Sequence, residues 1–280
     1  MGESPLIKSI LAVSEGGPDA AMSFRLASRV AGIFGGAVDA LHLPVSLAGG
    51  ATGLAMSGEA MPLVMNLDDD RLAERSKESE RAYKELVGSL KGATFTAAET
   101  GTLDAMVAMG RCSDIVVIGR PGSDPENVAP ATVEAALYEC ARAVMVAPPN
   151  AGAGAFGSVV IAWNASFQAA RAVEYALPFL YKAAKVTLLV IGRKPDDVGA
   201  RYLARNLGRQ GIEATIDAID PGAVSARARG RALLGYTQEK AADLLVMGAY
   251  GRGQMLSFLG LGGATAKVIS SCPVPLLMAH

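Results

Sequence analysis

An internal duplication sets the fold that this chain can adopt. The first half opens on an apolar strand, Ile7–Val13, which is followed by a helical stretch and a second strand, Ala37–Pro44. The same β-α-β order begins again with Ser158–Trp163 and continues to the strand Lys185–Ile191. Because an order of elements that recurs at a long period marks a repeated structural unit, the sequence predicts two copies of one domain.

The two halves also end alike. Asp114–Gly119 (DIVVIG) corresponds to Asp243–Gly248 (DLLVMG), and Ala143–Ala147 (AVMVA) corresponds to Pro275–Ala279 (PLLMA). These strands are almost continuous apolar runs, which is typical of parallel strands covered by helices on both faces. The predicted fold class is therefore α/β, with two tandem doubly wound parallel-sheet domains.

The composition between the halves suggests where the domains meet. Residues 150–156 lie in a stretch rich in Pro, Gly and Ala and are predicted to link a first domain, 1–149, to a second domain, 157–280. The first half is the longer one, and its extra length is assigned to Ser46–Asn66, which is predicted to form a loop or flap. The charged stretch Asp68–Lys91 is predicted to be an exposed helix that begins at its three aspartates.

Composition and motifs exclude several classes of protein. A net charge of −1 provides no basic field for a nucleic acid, and no apolar run is long enough to span a membrane. Three cysteines without a CxxC motif fit buried thiols in a reducing cytoplasm. Only two histidines, His42 and His280, and no GxSxG motif leave little for a hydrolase, so no catalytic residues are expected. The basic run Ser225–Arg231 is predicted to be a solvated helix face, with contact to phosphates or to an acidic partner as the alternative.

A glycine-rich corner of the second half has the chemistry of a phosphate site. Gly248 and Gly251 follow an apolar strand, and Gly262 and Gly263 precede the start of a helix at Ala264-Thr265. Glycines let the backbone approach a phosphate, and the free amides of a helix start donate to it. The hydroxyl of Thr265 and the guanidinium of Arg252 would add donors. The alternative is that these glycines only form tight turns and a helix cap.

Two nucleotide motifs are excluded at this corner. There is no GK[ST] triplet, so it is not a Walker A loop. A dinucleotide fingerprint belongs after the first strand of its unit, whereas this corner follows the fourth.

The corner resembles the ATP-binding signature of the universal stress protein family, Gly-x2-Gly-x9-Gly-Ser/Thr. Gly248 and Gly251 match the first pair, and Gly262–Thr265 matches the phosphate-holding turn. The spacing is one residue longer than in the family, and Gly263 stands where Ser or Thr is usual. The phrases VIAWNAS, VTLLVIG, MGAYG and CPVPLLMAH also resemble the C-terminal half of tandem members of this family.

The resemblance implies an adenine-nucleotide site for ATP, ADP or AMP in the second half. The implied binding residues lie at the ends of three strands and at the start of the last helix: Ala162, Trp163, Asn164, Val190, Gly248, Ala249, Gly251, Arg252, Gly262, Gly263, Ala264 and Thr265. Asn164 has the alternative role of a helix cap, and Val190 that of a core residue. Mg²⁺ often accompanies such nucleotides, but no ligands for it are evident in the sequence.

The first half departs from this pattern. Ser14 stands at the position of the family's adenine-binding Asp, and Pro130 replaces the glycine turn. Because proline has no N–H to donate to a phosphate, this half is predicted not to bind nucleotide. In the family, the last strands of two domains pair edge to edge, which implies that Val144–Ala147 pairs with Leu276–Ala279 as a pseudo-dimer within the chain.

The function that follows is an expectation. The resemblance implies a cytoplasmic tandem universal stress protein that binds an adenine nucleotide in its second half and acts in stress response as a sensor or regulator. It also implies a homodimer of such chains and, without a general base, at most slow ATP hydrolysis. Two alternatives stay open: a protein-interaction module with a relic pocket, and a protein that binds another small ligand under the Ser46–Asn66 flap.

Overall fold

A computed structural model of the chain describes residues 7–17, 20–45, 60–99, 103–121, 128–220, 222, 225–249 and 264–280. In the first half the elements are β1 (Ser9–Ser14), α1 (Ala21–Phe34), β2 (Ala37–His42), α2 (Ala60–Leu86), β3 (Thr94–Ala97), α3 (Asp104–Cys112), β4 (Ile115–Gly119), α4 (Pro130–Tyr138) and β5 (Ala143–Ala147).

The second half repeats this order. Its elements are β6 (Ser158–Ala162), α5 (Phe167–Leu180), β7 (Lys185–Ile191), a 3₁₀ turn (Asp196–Val198), α6 (Ala200–Arg209), β8 (Ala214–Ile219), α7 (Ala226–Glu239), β9 (Leu244–Gly248), α8 (Ala264–Ser271) and β10 (Leu276–Ala279). The alternation of strands and helices confirms the predicted α/β fold class.

The strands of the described residues form one sheet of ten, in the order β3-β2-β1-β4-β5-β10-β9-β6-β7-β8. Within each half all neighbouring strands are parallel. From the centre of the sheet outward, the first half has the order β5-β4-β1-β2-β3 and the second half has the matching order β10-β9-β6-β7-β8. The carboxyl ends of β1 and β6, where the chain turns into the next helix, are therefore equivalent positions.

One contact shows the equivalence at the level of atoms. The carboxylate of Asp114 accepts hydrogen bonds from the backbone amides of Lys8 and Ser9, at 2.7 and 2.9 Å. In the second half the carboxylate of Asp243 accepts one from the amide of Ser158, at 2.8 Å. An aspartate before the fourth strand thus holds the start of the first strand in both halves.

The halves meet where their last strands pair. β5 and β10 are antiparallel, with Leu276 opposite Val146 and Leu277 opposite Met145. Both strands are fully buried. Because each strand also has a parallel neighbour on its other side, the pairing leaves neither as an open edge.

The hydrophobic core also crosses this boundary. Phe34 of α1, Phe156 and Phe179 of α5 stack edge to face, with Phe179 5.1 Å from Phe34 and 5.2 Å from Phe156 between ring centroids. All three side chains are at most 5% exposed. One face of the sheet thus carries a single apolar cluster that includes residues of both halves.

The segment predicted to be a linker is fixed by α1. The Arg29 guanidinium donates to the carbonyls of Gly154 and Ala155, at 2.9 and 3.1 Å, and also to that of Ala151. It lies 3.9 Å above the ring of Phe156. A charged group that serves three carbonyls and a ring holds the segment in one conformation.

Four expectations about the first half were wrong. Helix α2 begins at Ala60, so residues 60–66 are helical, and only 46–59 of the predicted flap lie outside the described residues. The aspartates from Asp68 are consequently inside the helix and not at its start. The helix is not exposed throughout, because Arg75 and Ser79 are 4% and 0% exposed. Of the three cysteines, Cys140 and Cys272 are buried, but Cys112 is exposed.

Candidate functional site

A cavity of 440 Å³ opens at the carboxyl ends of β6, β7 and β9. This is the edge of a parallel sheet at which ligands of α/β proteins bind. The side chains and backbone that line it come from three strands and two helices: Ala162, Trp163, Asn164, Leu189, Ile191, Gly192, Arg193, Arg229, Gly230, Leu233, Met247, Gly248, Ala264 and Val268. Five of the predicted site residues, from the ends of β6 and β9 and the start of α8, are among them.

Trp163 forms one wall of the cavity. Its backbone amide donates to the carbonyl of Leu189, at 2.9 Å, which continues the β6–β7 ladder by one residue. Its indole Nε1 donates to the carbonyl of Val198, at 2.7 Å. The ring is thus held between β7 and the 3₁₀ turn. Since the chain has one tryptophan, this residue is a specific reporter for the cavity.

Asn164 builds the turn that leads into α5, but it is not the helix cap. Its Oδ1 accepts a hydrogen bond from the amide of Ser166, at 3.0 Å, and Ser166 is the residue that caps the helix, through the amide of Ala169. Between them Ala165 has a left-handed backbone with φ of 61°. Asn164 itself is exposed at the rim of the cavity.

Gly248 is required by packing as well as by its place in the cavity. A Cβ atom at this position would lie 2.6 Å from the amide nitrogen of Ala169 and 2.8 Å from the carbonyl carbon of Gln168. The first turn of α5 therefore touches the backbone at the end of β9. Packing alone is therefore enough to require a glycine at this position, with no ligand involved. This agrees with the alternative that the glycines of this corner have a purely structural role.

Three predicted residues lie elsewhere. Val190 is 1% exposed and packs with Val198 and Ala200 on the opposite face of the sheet from its neighbours, so Leu189 and Ile191 line the cavity in its place. Ala249 is fully buried, and its amide donates to the carbonyl of Ala279 at 2.8 Å. Thr265 is 8% exposed and is not among the lining residues. Gly251, Arg252, Gly262 and Gly263 lie outside the described residues.

Two arginines at the rim were missed. Arg193 follows β7, and Arg229 lies on α7 within the run that was predicted to be a solvated helix face, with phosphate contact as the alternative. The Arg229 side chain passes Gly192, where a Cβ atom would lie 3.9 Å from the Arg229 Cδ. The signal was present in the sequence as a cluster of arginines, but their direction depends on where α7 begins.

The equivalent position of the first half holds a buried carboxyl group. Ile10 pairs with Ile115 at the start of β4, and Val159 pairs with Leu244 at the start of β9, so Ile10 corresponds to Val159. Counting on from this pair, Glu15 corresponds to Asn164 and Ser14 to Trp163. This corrects the alignment that put Ser14 at the adenine-binding position. Glu15 is 4% exposed, and both of its carboxylate oxygens accept from the amide of Ala129, at 3.1 and 3.0 Å.

Burial gives Glu15 a pH dependence that can be measured. Burial raises the pKa of its carboxyl above 4.5, although Thr132, the Ala129 amide, Arg75 and Arg71 all act to lower it. A folded-state pKa above the unfolded one means that the folded protein takes up the proton first, so this residue adds stability as the pH falls. As the pH falls from 7 to 4.5, we expect the free energy of unfolding of the parent to rise relative to that of Glu15→Gln, as measured by urea denaturation.

The comparison with Glu15→Gln isolates this carboxyl from a neighbouring histidine. Burial lowers the pKa of His42, whose stability contribution is lost on acidification, but His42 is present in both proteins. A difference between parent and variant that does not change with pH would contradict the assignment.

The described residues offer no metal centre and no membrane span. Among them no three His, Cys, Asp or Glu side chains are grouped closely enough to hold a metal ion. None of the helices in the described part of the chain is both long enough and apolar enough to cross a bilayer.

Comparison with known proteins agrees with the geometry. The model of the universal stress protein family matches residues 155–280. A universal stress protein from Archaeoglobus fulgidus DSM 4304 has a similar structure, with a TM-score of 0.63 at 18% identity over 97% of each chain. A functionally unknown protein from Pseudomonas aeruginosa PAO1 is similar with a TM-score of 0.54 at 13% identity, covering 97% of this chain and 92% of that one. No curated protein matches the chain significantly.

The structural likeness extends over both halves, whereas the sequence match covers the half that carries the cavity. Both observations agree with the repeated strand order and with the motifs around Gly248. The second half of the chain, residues 155–280, belongs to the universal stress protein family.

Proposed function

We propose that the chain is a tandem universal stress protein that binds ATP or a related adenine nucleotide in the cavity of its second half, and that it acts in stress response as a sensor or regulator. The observation that carries this proposal is the cavity itself, which combines an apolar interior, a helix start and two rim arginines. Its volume of 440 Å³ falls within the roughly 300–1,000 Å³ of small-molecule sites.

The interior suits a flat, apolar base. The apolar part of the lining comes from Leu189 and Ile191 of β7, Leu233 of α7 and Trp163. A purine gains from burial between aliphatic side chains, and the exposed amide of Asn164 can donate to and accept from its edge. The end of β6 would thus read the base, as the resemblance implies.

The rim suits phosphates. Ala264, the first residue of α8, lines the cavity, so the amino end of that helix is directed to it and favours an anion. The guanidinium groups of Arg193 and Arg229 would add positive charge at the rim. Since none of the described lining residues carries a carboxylate, Mg²⁺ would be held through the phosphates and not by these side chains.

Nucleotide binding can be tested through the single tryptophan. We expect ATP to change the fluorescence of Trp163, and Arg229→Gln to weaken the affinity about tenfold, since a lost charge-assisted hydrogen bond costs roughly 1.4 kcal/mol. Isothermal titration calorimetry should give the same ratio of dissociation constants.

The matched control is Arg227→Gln, which removes an exposed arginine from the same first turn of α7 but not from the cavity wall. It should bind ATP as the parent does. If the parent at millimolar ATP shows neither a change in Trp163 fluorescence nor a heat of binding by calorimetry, the proposal is contradicted. Equal weakening by both variants would reduce the role of Arg229 to a general effect of charge.

A protein-interaction module is the second candidate, and one surface favours it. Tyr202 of α6 is 70% exposed, and the Arg205 guanidinium lies 5.1 Å above its ring. Exposed aromatic and arginine side chains are enriched where proteins meet. Native mass spectrometry of protein purified without added nucleotide separates the candidates, because a retained mass of a nucleotide supports the first and its absence, with a bound protein instead, supports the second.

A further inference from the structure

A buried acid follows β1 at the position where the second half has its cavity. Glu15 is 4% exposed, and its two carboxylate oxygens lie 3.0 and 3.1 Å from the amide nitrogen of Ala129, the residue that precedes α4. Its counterpart Asn164 is exposed and lines the open cavity. The same point of the fold therefore holds a buried carboxyl group in one half and an open cavity in the other.

Several neighbours of Glu15 favour its ionised form, although burial opposes it. The amide of Ala129 stands at the amino end of α4, a helix of nine residues whose dipole favours negative charge. Arg75 and Arg71 of α2 act on the same carboxyl with their positive charge, and Arg75 is itself 4% exposed. A helix start and buried guanidinium groups are the partners that proteins use to hold phosphate or carboxylate.

Helix α2 closes this position from solvent. A Cβ atom on Gly16 would lie 2.4 Å from the carbonyl oxygen of Arg75, so the helix rests directly on the turn after β1. The buried hydroxyl of Ser79 lies 3.0 Å from the Ser14 Oγ and 2.9 Å from the His42 Nδ1. The ends of β1 and β2 are thus tied to α2.

We propose that the first half keeps an anion-binding position at the amino end of α4, and that Glu15 fills it from within the chain. A single carboxylate or another anion of that size is the class of group that fits. Glu15 then orders the start of α4 against β1, as a bound phosphate would in an open domain, and the first half needs no ligand to fold. This inference does not depend on nucleotide binding by the second half.

Chemical rescue tests the proposal. In Glu15→Ala, we expect the Ala129 amide to exchange its hydrogen with solvent at least about tenfold faster than in the parent, because its acceptor is gone. Sodium formate at roughly 0.1 M should restore the protection and raise the melting temperature, since a small anion that binds only the folded state stabilises it. Inorganic phosphate is the second probe, and its failure beside a positive formate result would restrict the position to carboxylates.

Glu78→Ala is the matched control, because Glu78 also accepts from a backbone amide, that of Gly17 at 2.7 Å, and the Ala129 amide donates to Glu15 instead. It should leave the exchange of Ala129 unchanged and show no response to formate beyond that of the parent. Unchanged exchange of Ala129 in Glu15→Ala, or an equal formate response in both variants, would overturn the proposal. A Glu15→Ala protein that stays unfolded in formate and in phosphate would overturn it as well.

Discussion

Phe179→Ala is expected to lower the free energy of unfolding of the whole chain by about 4 kcal/mol, since removing a fully buried phenylalanine costs the transfer of its ring and leaves a cavity. Phe179 is 1% exposed and stacks on Phe34 from the first half and on Phe156 between the halves. Its loss therefore weakens both halves together. Urea denaturation followed by Trp163 fluorescence and by circular dichroism should show one transition, shifted equally by both probes.

The control for this prediction lies on the same helix. Phe167 opens α5 but is 58% exposed, so Phe167→Ala should cost about 0.5 kcal/mol or less. Two separate transitions in Phe179→Ala, with only the one reported by Trp163 shifted, would show instead that the halves unfold independently and that the shared core does not couple them.

Gly16→Ala is expected to have an effect of similar size, roughly 3–5 kcal/mol, for a different reason. The added methyl group would lie 2.4 Å from the carbonyl oxygen of Arg75 and 2.5 Å from its Cβ, so α2 would have to move away from β1. The left-handed backbone, with φ of 77°, adds about 1 kcal/mol. Thermal denaturation should measure the loss, and hydrogen exchange should place it in α2.

Two other positions of the chain separate the cost of the contact with α2 from the cost of the left-handed backbone. Ala165 has the same left-handed backbone at the equivalent turn of the second half, which shows that alanine can adopt it at an exposed position. Gly154→Ala supplies a second control, because its φ is 76° and nothing lies within 4 Å of the added carbon. If Gly154→Ala costs as much as Gly16→Ala, the contact with α2 is not what makes Gly16 necessary.

The topology was accessible from the sequence because it depends on patterns that repeat. Apolar runs such as Ile115–Gly119 and Leu244–Gly248 are buried on both faces, and such strands fit only the middle of a covered parallel sheet. The antiparallel contact of Val146 with Leu276 followed from the family resemblance and from the need to cover two apolar edges.

The candidate site was harder to predict from the sequence, because it depends on which face of the sheet each side chain occupies and on how deeply that side chain is buried. Val190 and its neighbours Leu189 and Ile191 are all apolar, and a strand exposes alternate residues to opposite faces, so an error of one residue moves the predicted contact into the core. The role of Arg229 required the start of α7 to be known. The burial of Glu15 in the first half could not be predicted, because it depends on the tertiary contact of α2 with Gly16, which no local sequence pattern encodes.

The position of β10 has a consequence for how the chain is made. This strand lies between β5 and β9 at the centre of the sheet, although it follows the other nine strands in sequence. During synthesis the completed first half must wait for about 130 further residues, or roughly 7–26 seconds on the ribosome, before its partner strand emerges. Throughout that interval β5 presents an apolar, unpaired edge, which is the kind of surface that aggregates or recruits a chaperone.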